Sequence, residues 1–243
     1  MKTLKIIRIL LLYMLTGIFS VFLLNSTARA ADYDHLFWAK DIAENVTPDK
    51  NTYATDPSYI YWPDADGVGS YENHTKCASF ITQVLMHSYG WTSSDFKDWI
   101  STASPTAERY YDTIKLQNGF IAINNIKNIQ PGDLIAIKYP DNSSVTGHMM
   151  MANGYPLLRS STSPIIKNTY QYEIEIIDSS QSGHGSHDTR LMEDGTYSPG
   201  AGIGVFRLYA SSKGVIKGYT WSTYNNSQYY DQNTRPLIVG RLL

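Results

Sequence analysis

The chain has 243 residues, with 20 Lys and Arg, 22 Asp and Glu, and a single cysteine. This length suits one domain with a short extension, and a single thiol excludes an intramolecular disulfide. The formal net charge of −2 lacks the basic excess that is typical of nucleic-acid binding. We therefore expect one globular domain without a nucleic-acid partner.

The first thirty residues have the pattern of an export signal. Three basic residues precede an uncharged apolar run at 9–24, and small residues stand at the two positions that a signal peptidase reads. We expect cleavage after Ala30, a secreted or periplasmic location, and a mature domain over 31–243 without stable membrane insertion. The signal holds four of the 20 basic residues and no acidic ones, which leaves the mature domain 16 basic and 22 acidic residues. The alternative is that the apolar run is kept as a membrane anchor.

Apolar residues recur at helical spacing in the first half of the chain. The predicted helices are one that starts near 32 and ends before 48, and those at 77–90, 93–100 and 106–117. Thr75 is the predicted N-cap of the second helix, and Gly90 is its predicted stop. The stretch 47–69 is rich in Pro, Asp, Gly and aromatic residues and fits no period, which predicts a long loop.

From Phe120 onward the pattern changes to short apolar runs that are typical of strands. The predicted strands lie at 120–123, 134–139, 148–152, 172–178, 204–209, 218–221 and 236–242, and a glycine- and histidine-rich loop spans 179–188. Helices followed by antiparallel strands form the α+β pattern. We therefore predict N-terminal helices packed on a mostly antiparallel sheet or half-barrel.

Cys77 stands where a loop meets a predicted helix. The backbone N–H groups and the dipole of a helix start favour a thiolate, and the same N–H groups can stabilise an oxyanion. His148 opens a strand after Gly147 and is the predicted general base. Asp178 ends the next long strand and can orient the imidazole if the two strands pair antiparallel. The alternative is a buried, inert thiol, although an unpaired thiol in an oxidising compartment asks for a chemical reason.

This order of residues resembles the NlpC-type and CHAP-type papain-like cysteine peptidases. The segments that carry the resemblance are Lys76–Phe80, Pro131–Ile135 and Gly147–Met150. The resemblance implies a papain-like α+β domain, a Cys–His–polar site and hydrolysis of amide bonds in peptidoglycan stem peptides through a thioester. It implies neither a metal nor an organic cofactor, and we expect a monomer.

The sequence departs from the NlpC pattern at two places. Lys76 replaces the usual Asp before the cysteine, and Ala78-Ser79 replaces the usual Ser-Gly after it. In the NlpC pattern the third site residue usually follows the histidine closely. Asp178 lies 30 residues after His148, which predicts an insertion in the hairpin around 157–169.

Three alternatives stay open at this point. The first is a catalytically inactive wall-binding module of the same fold. The second is a zinc-dependent hydrolase that uses His184 and His187, one of which otherwise lines the rim of the active site. The third is a transferase that passes the acyl group to an amine. In related peptidases an upstream tyrosine helps to form the site, but the spacing does not select between Tyr61 and Tyr71.

Overall fold

The computed structural model describes the backbone from Asp34 to Leu243. The predicted export signal at 1–30 therefore lies outside the described residues. Within the described part, every helix is too short or too polar to cross a membrane.

Four helices lie close to their predicted positions. They are α1 (Asp34–Asn45), α2 (Cys77–Tyr89), α3 (Ser93–Ile100) and α4 (Ala107–Lys115). Helix α2 ends at Gly90 in the left-handed conformation (φ 66°), as predicted. The predicted N-cap is wrong by one residue. Lys76 holds that position, and its backbone N–H donates to Ser79 Oγ at 2.9 Å, so Cys77 is the first residue of the helix.

The predicted long loop at 47–69 is wrong, because this stretch contributes to a small sheet. Strands β1 (Asn51–Thr52), β2 (Tyr59–Tyr61) and β3 (Glu72–His74) pair in the order β1-β3-β2, with β1 parallel to β3. Strands of two or three residues are too short to show an alternating pattern, which explains why the sequence did not predict them.

A nine-stranded sheet forms most of the domain, and all its strand pairs are antiparallel. Its strands are β4 (Phe120–Ala122), β5 (Leu134–Lys138), β6 (Gly147–Ala152), β7 (Leu157–Leu158), β8 (Tyr170–Ser180), β9 (Gly200–Ala210), β10 (Ile216–Thr220), β11 (Tyr229–Asp231) and β12 (Leu237–Leu242). The strand order is β11-β10-β9-β8-β6-β5-β12-β4, with β7 paired to β8. The α+β class with a mostly antiparallel sheet is therefore confirmed, and the β6–β8 hairpin does carry an insertion at 153–169.

Both faces of this sheet are buried. On one face, side chains of the helices, such as Phe80 and Ile114, pack with Leu134 and Ile177. On the other face, a second core is built from strand side chains and the short 126–129 segment. Its members come from β5 and β12 as well as β9 and β10. Burial on both faces explains the continuous apolar run of β5.

Candidate active site

The two central strands separate where the candidate site begins. Strand β6 pairs with β5 along its whole length, but with β8 only through Met151 and Ala152. The start of α2 lies at the open end of this pair. Ser179 Oγ donates to the Thr75 carbonyl oxygen at 2.7 Å, which holds β8 against the segment that leads into Cys77.

Gly147 fixes the entry into β6. Its φ of 151° is rarely adopted by other residues, and a Cβ at this position would overlap the carbonyl oxygen of Ile137. Ile137 is also the register partner of His148. A side chain at Gly147 would therefore push apart the strand pair that positions the imidazole.

The structure brings Cys77, His148 and Asp178 together. The Nε2 atom of His148 lies 2.6 Å from Asp178 Oδ2, and the His148 side chain lies close enough to the Cys77 thiol to lower the pKa of Cys77. Because Nε2 faces the carboxylate, Nδ1 is the ring nitrogen that is left for the thiol. All three side chains are buried, and Cys77 is 7% exposed.

Burial disfavours the charged forms of Cys77 and His148, but their mutual attraction outweighs it. Burial alone would raise the pKa of Cys77, whereas the charge and hydrogen bond of His148, together with the Met149 N–H, lower this pKa below its usual value. Burial alone would lower the pKa of His148, whereas the Cys77 thiolate and Asp178 raise it to about 10. Both shifts therefore favour a thiolate–imidazolium pair over a neutral thiol beside a neutral imidazole.

Asp178 contacts two further basic side chains. His184 Nε2 lies 2.9 Å from the same Oδ2 atom, and Arg190 Nη1 lies 2.9 Å from Oδ1. The Arg190 contact is an ion pair and not an aligned hydrogen bond, since Oδ1 has no partner of hydrogen-bond geometry. Burial alone would raise the pKa of Asp178, but Arg190, His184 and His148 hold it well below its usual range. The carboxylate therefore stays ionised.

Asp188 holds Arg190 in place. Its two carboxylate oxygens accept from Arg190 Nε at 2.9 Å and Nη2 at 2.8 Å, and Oδ2 also accepts the backbone N–H of His184 at 2.7 Å. Arg190 Nη1 also donates to the carbonyl oxygen of Gly200 at 3.0 Å. The loop after β8 is thereby fixed against β9, and its two basic side chains are directed at Asp178.

One similar protein extends over most of the chain. An uncharacterized protein of Acanthamoeba polyphaga mimivirus, named R653, is 34% identical over 217 residues, which cover 85% of this chain and 95% of the viral protein. This chain belongs to the same family as R653. No protein-family model matches the sequence, and no solved structure matches it.

In this member of the R653 family, the two loop histidines lie in different environments. His187 is exposed, whereas His184 is 2% exposed and contacts Asp178. The Nδ1 atom of His184 lies 2.7 Å from the carbonyl oxygen of Trp221. Both neighbours of the ring, the Asp178 carboxylate and the Trp221 carbonyl oxygen, are hydrogen-bond acceptors.

The ligand atoms of His148, Asp178 and His184 all lie within 4.8 Å of one another, which makes them a candidate metal group. Their Nε2–Oδ2 spacings are 2.6 and 2.9 Å. Two ligands on a tetrahedral zinc stand about 3.3 Å apart, given zinc–ligand bonds of about 2.0 Å. The observed spacings are those of hydrogen bonds, and the ring nitrogens already have partners in the protein. The donor set therefore fits a hydrogen-bonded carboxylate better than a zinc cage.

Tyr53 is a site residue that the sequence did not indicate. Its side chain lies beside Cys77, and burial together with the neighbouring thiolate raises the pKa of Tyr53, so the phenol keeps its hydrogen and can donate it. The parallel register of β1 and β3 brings Tyr53 here, because Thr52 pairs with His74 and accepts the Thr75 N–H at 3.2 Å. The resemblance had pointed to Tyr61, which is 40% exposed, or to Tyr71, which donates to Asp41 Oδ1 at 3.3 Å.

A row of buried amide and hydroxyl groups anchors this region to β9. Thr75 Oγ1 donates to Asn73 Oδ1 at 2.6 Å, and Asn73 Nδ2 donates to Asn51 Oδ1 at 2.8 Å. The Asn51 amide then exchanges two hydrogen bonds of 2.7 Å with the backbone of Ala201. Leaving one such buried group unpaired costs roughly 1–3 kcal/mol. The segment that carries Tyr53 and Cys77 is therefore held against the sheet that carries Asp178.

Proposed function

We propose that this protein is a cysteine hydrolase that cleaves amide or peptide bonds through a thioester. The observation that carries the proposal is a continuous chain of contacts. It runs from Cys77, the first residue of α2, through His148 to Asp178. A thiolate nucleophile, a base that can return its proton and a group that orients the base are the parts that such a reaction requires.

In the first half of the reaction, the Cys77 thiolate attacks the substrate carbonyl carbon. The N–H groups of the first turn of α2 have no acceptor within the helix and can stabilise the oxyanion that forms. The His148 imidazolium then gives its proton to the departing amine, and the C–N bond breaks. The product of this half-reaction is a thioester on Cys77 with neutral His148.

In the second half, His148 takes a proton from water, and the resulting hydroxide attacks the thioester. Collapse of this intermediate breaks the C–S bond and releases a carboxylic acid, while the thiolate–imidazolium pair re-forms. Asp178 keeps Nε2 of His148 engaged throughout, so that Nδ1 continues to face the sulfur. An amine that replaced water in this step would make the product a new amide.

Among amide substrates, we propose peptidoglycan stem peptides. The support for this choice is the predicted export signal together with the resemblance to cell-wall peptidases. Neither feature depends on the geometry of the site, so the substrate and the chemistry can be tested separately.

The first test compares the wild type, C77A and C77S on purified peptidoglycan and on a set of short peptide amides. We expect new amine and carboxyl termini with the wild type, and a loss of about 10⁴-fold or more with either variant. S88A, in the last turn of α2, serves as a matched control. Mass spectrometry identifies the scissile bond and distinguishes hydrolysis from transfer to an amine.

Two outcomes would overturn parts of the proposal. Full activity of a folded C77A protein would exclude the thioester route. A Cys77 thiol that iodoacetamide fails to alkylate near neutral pH would favour the inactive binding module, because a protonated, shielded thiol reacts slowly. Cleavage of short peptide amides without cleavage of peptidoglycan would retain the chemistry and exclude the proposed substrate.

A further inference from the structure

A cluster of tyrosines surrounds one arginine beside the candidate site. Tyr139 follows β5, and its N–H donates to the Thr146 carbonyl oxygen at 3.1 Å, which continues the β5–β6 ladder by one pair. Because Ile137 pairs with His148, alternation along β5 places Tyr139 on the same face as His148, one diagonal step away. Tyr139 is partly exposed.

A row of aromatic rings also leads from His148 towards this arginine. Trp221 is edge-on to His148 with ring centroids 5.1 Å apart, and Tyr219 lies 5.7 Å from Trp221. Tyr230 lies 5.5 Å from Tyr219 and is partly exposed. Tyr230 is thus connected to His148 by a row of ring contacts, whereas Tyr139 shares a sheet face with His148.

Arg235 lies between Tyr139 and Tyr230. Its guanidinium carbon lies 4.4 Å from the ring centre of Tyr139 and 4.2 Å from that of Tyr230. Burial raises the pKa of Tyr139 to about 12, while the charge of Arg235 acts to lower this pKa and Cys77 acts to raise it. Tyr139 is therefore within electrostatic reach of both the arginine and the thiol.

The guanidinium N–H groups of Arg235 have no hydrogen-bond acceptor or ion-pair partner within the described residues, although its backbone N–H donates to the Asp231 carbonyl oxygen at 3.0 Å. The nearest acid in sequence, Asp231, accepts the backbone N–H groups of Asn233 at 2.7 Å and Thr234 at 2.9 Å. The contrast with other arginines is clear, since Arg190 pairs with two carboxylates and Arg241 pairs with Asp133. Arg235 therefore has two aromatic partners and, among the residues that the structure describes, no carboxylate partner.

We propose that Arg235 binds a carboxylate group of the substrate next to the scissile amide. This inference rests on the proposed function and narrows its substrate class to peptides that carry a free carboxylate, either at the C-terminus or on an acidic side chain. The planar guanidinium can donate two parallel hydrogen bonds to a carboxylate. The two tyrosines hold it in a fixed orientation by cation–π contacts, which reduces the entropy lost when the anion binds.

The test uses thiol reagents, so it needs no knowledge of the natural substrate. Iodoacetyl-glycine, iodoacetyl-β-alanine and iodoacetyl-γ-aminobutyrate each place a carboxylate at a different distance from the reactive carbon, and their primary amides are neutral controls. We expect the best-fitting acid to alkylate wild-type Cys77 about tenfold faster than its amide, which is the size of one charge-assisted hydrogen bond. The rate ratio should fall to about one in R235Q and lie between these values in R235K.

K115Q removes one positive charge from the C-terminal end of α4 and should retain the wild-type ratio. Because each ratio compares two reagents on one protein, a change in the fraction of active molecules cancels, and circular dichroism checks the fold. A reactive thiol without preference for the acids, or an R235Q protein that keeps the preference, would contradict the carboxylate site and leave the proposed function intact. A thiol that reacts with none of the reagents would contradict the proposed function and, with it, this inference.

The source of the carboxylate is resolved with peptide substrates. One pair differs only in a C-terminal carboxylate against a carboxamide, and a second pair differs only in Glu against Gln beside the scissile bond. We expect R235Q to lower kcat/KM about tenfold for the recognised acid and to leave its neutral partner unchanged. Equal losses for acid and neutral partner in both pairs would contradict recognition of a carboxylate.

Discussion

Two histidines donate to the same oxygen of Asp178, and they differ in what lies on the other side of each ring. His148 has Cys77 beside its second nitrogen, whereas His184 has the carbonyl oxygen of Trp221 there. The thiol can give and take a proton, but a carbonyl oxygen can only accept a hydrogen bond. The partner on the far side of each ring, and not the shared carboxylate, therefore makes one imidazole suited to proton transfer and the other suited to support.

The largest expected effect separates these two histidines. H148Q should lower kcat/KM by about 10⁴-fold, because it removes both the base and the proton that the leaving amine needs. H184Q should lower it by only about tenfold, since Asp178 keeps Arg190 and His148. Activity on a peptide amide and the rate of Cys77 alkylation measure both variants. Similar losses in the two variants would contradict the assignment of proton transfer to His148 and support to His184.

The next largest effect is expected when Asp178, the acceptor that both histidines share, is replaced. D178N should lower kcat/KM by about 10³-fold, because a neutral amide no longer stabilises the His148 imidazolium. It also leaves Arg190 short of one counter-ion in a buried site, so the protein should unfold more easily by about 3 kcal/mol or more. Urea titration gives the stability, and D98N on the exposed side of α3 is the control. An unchanged midpoint in D178N would show that the Arg190 ion pair is not needed for stability.

A third prediction uses pH to distinguish nucleophile from acid. Because the pKa of Cys77 is lowered, alkylation by iodoacetamide should reach its plateau below the ordinary thiol range. It should stay there as the pH rises, because the thiolate persists. Amide hydrolysis should instead decline as the pH rises through about 10, where His148 loses the proton that it gives to the amine.

In H148Q the alkylation profile should move to higher pH, since the thiolate loses its cationic partner. H184Q should leave the profile close to that of the wild type. A wild-type profile with the midpoint of an ordinary thiol would contradict the thiolate–imidazolium pair.

The smallest effect concerns the contact that joins the two halves of the site. S179A removes the 2.7 Å hydrogen bond to the Thr75 carbonyl oxygen and should destabilise the protein by about 1 kcal/mol. The melting temperature should fall by about 2–4 °C for a domain of this size. S144A, in the exposed loop between β5 and β6, is the matched control. An equal change in both variants would assign the loss to serine removal in general.

Local patterns in the sequence predicted much of the fold. Helix α2 could be predicted because its apolar residues repeat at 3.6-residue spacing and Gly90 ends it. The antiparallel pairing of the strands that carry His148 and Asp178 could also be predicted, but this pairing involves only Met151 and Ala152, and His148 reaches Asp178 where the strands have separated.

The rest of the site depends on contacts that no local pattern contains. Tyr53 reaches Cys77 through the register of two very short strands, and Arg190 reaches Asp178 through a loop that Asp188 and Gly200 hold. The same loop separates His184 from His187, although the sequence places them in one Gly-His-Gly-Ser-His motif. Such placements come from tertiary packing, which overrides spacing along the chain.

Cys77 is the only thiol in the 243 residues, and it is also the candidate nucleophile. A covalent label therefore reports one site per chain without any background from other cysteines. The mass added to the intact protein counts the competent molecules in a preparation, so that every rate constant can be expressed per working site. The same property allows a fluorescent or affinity tag to be placed at the candidate nucleophile of the unmodified sequence.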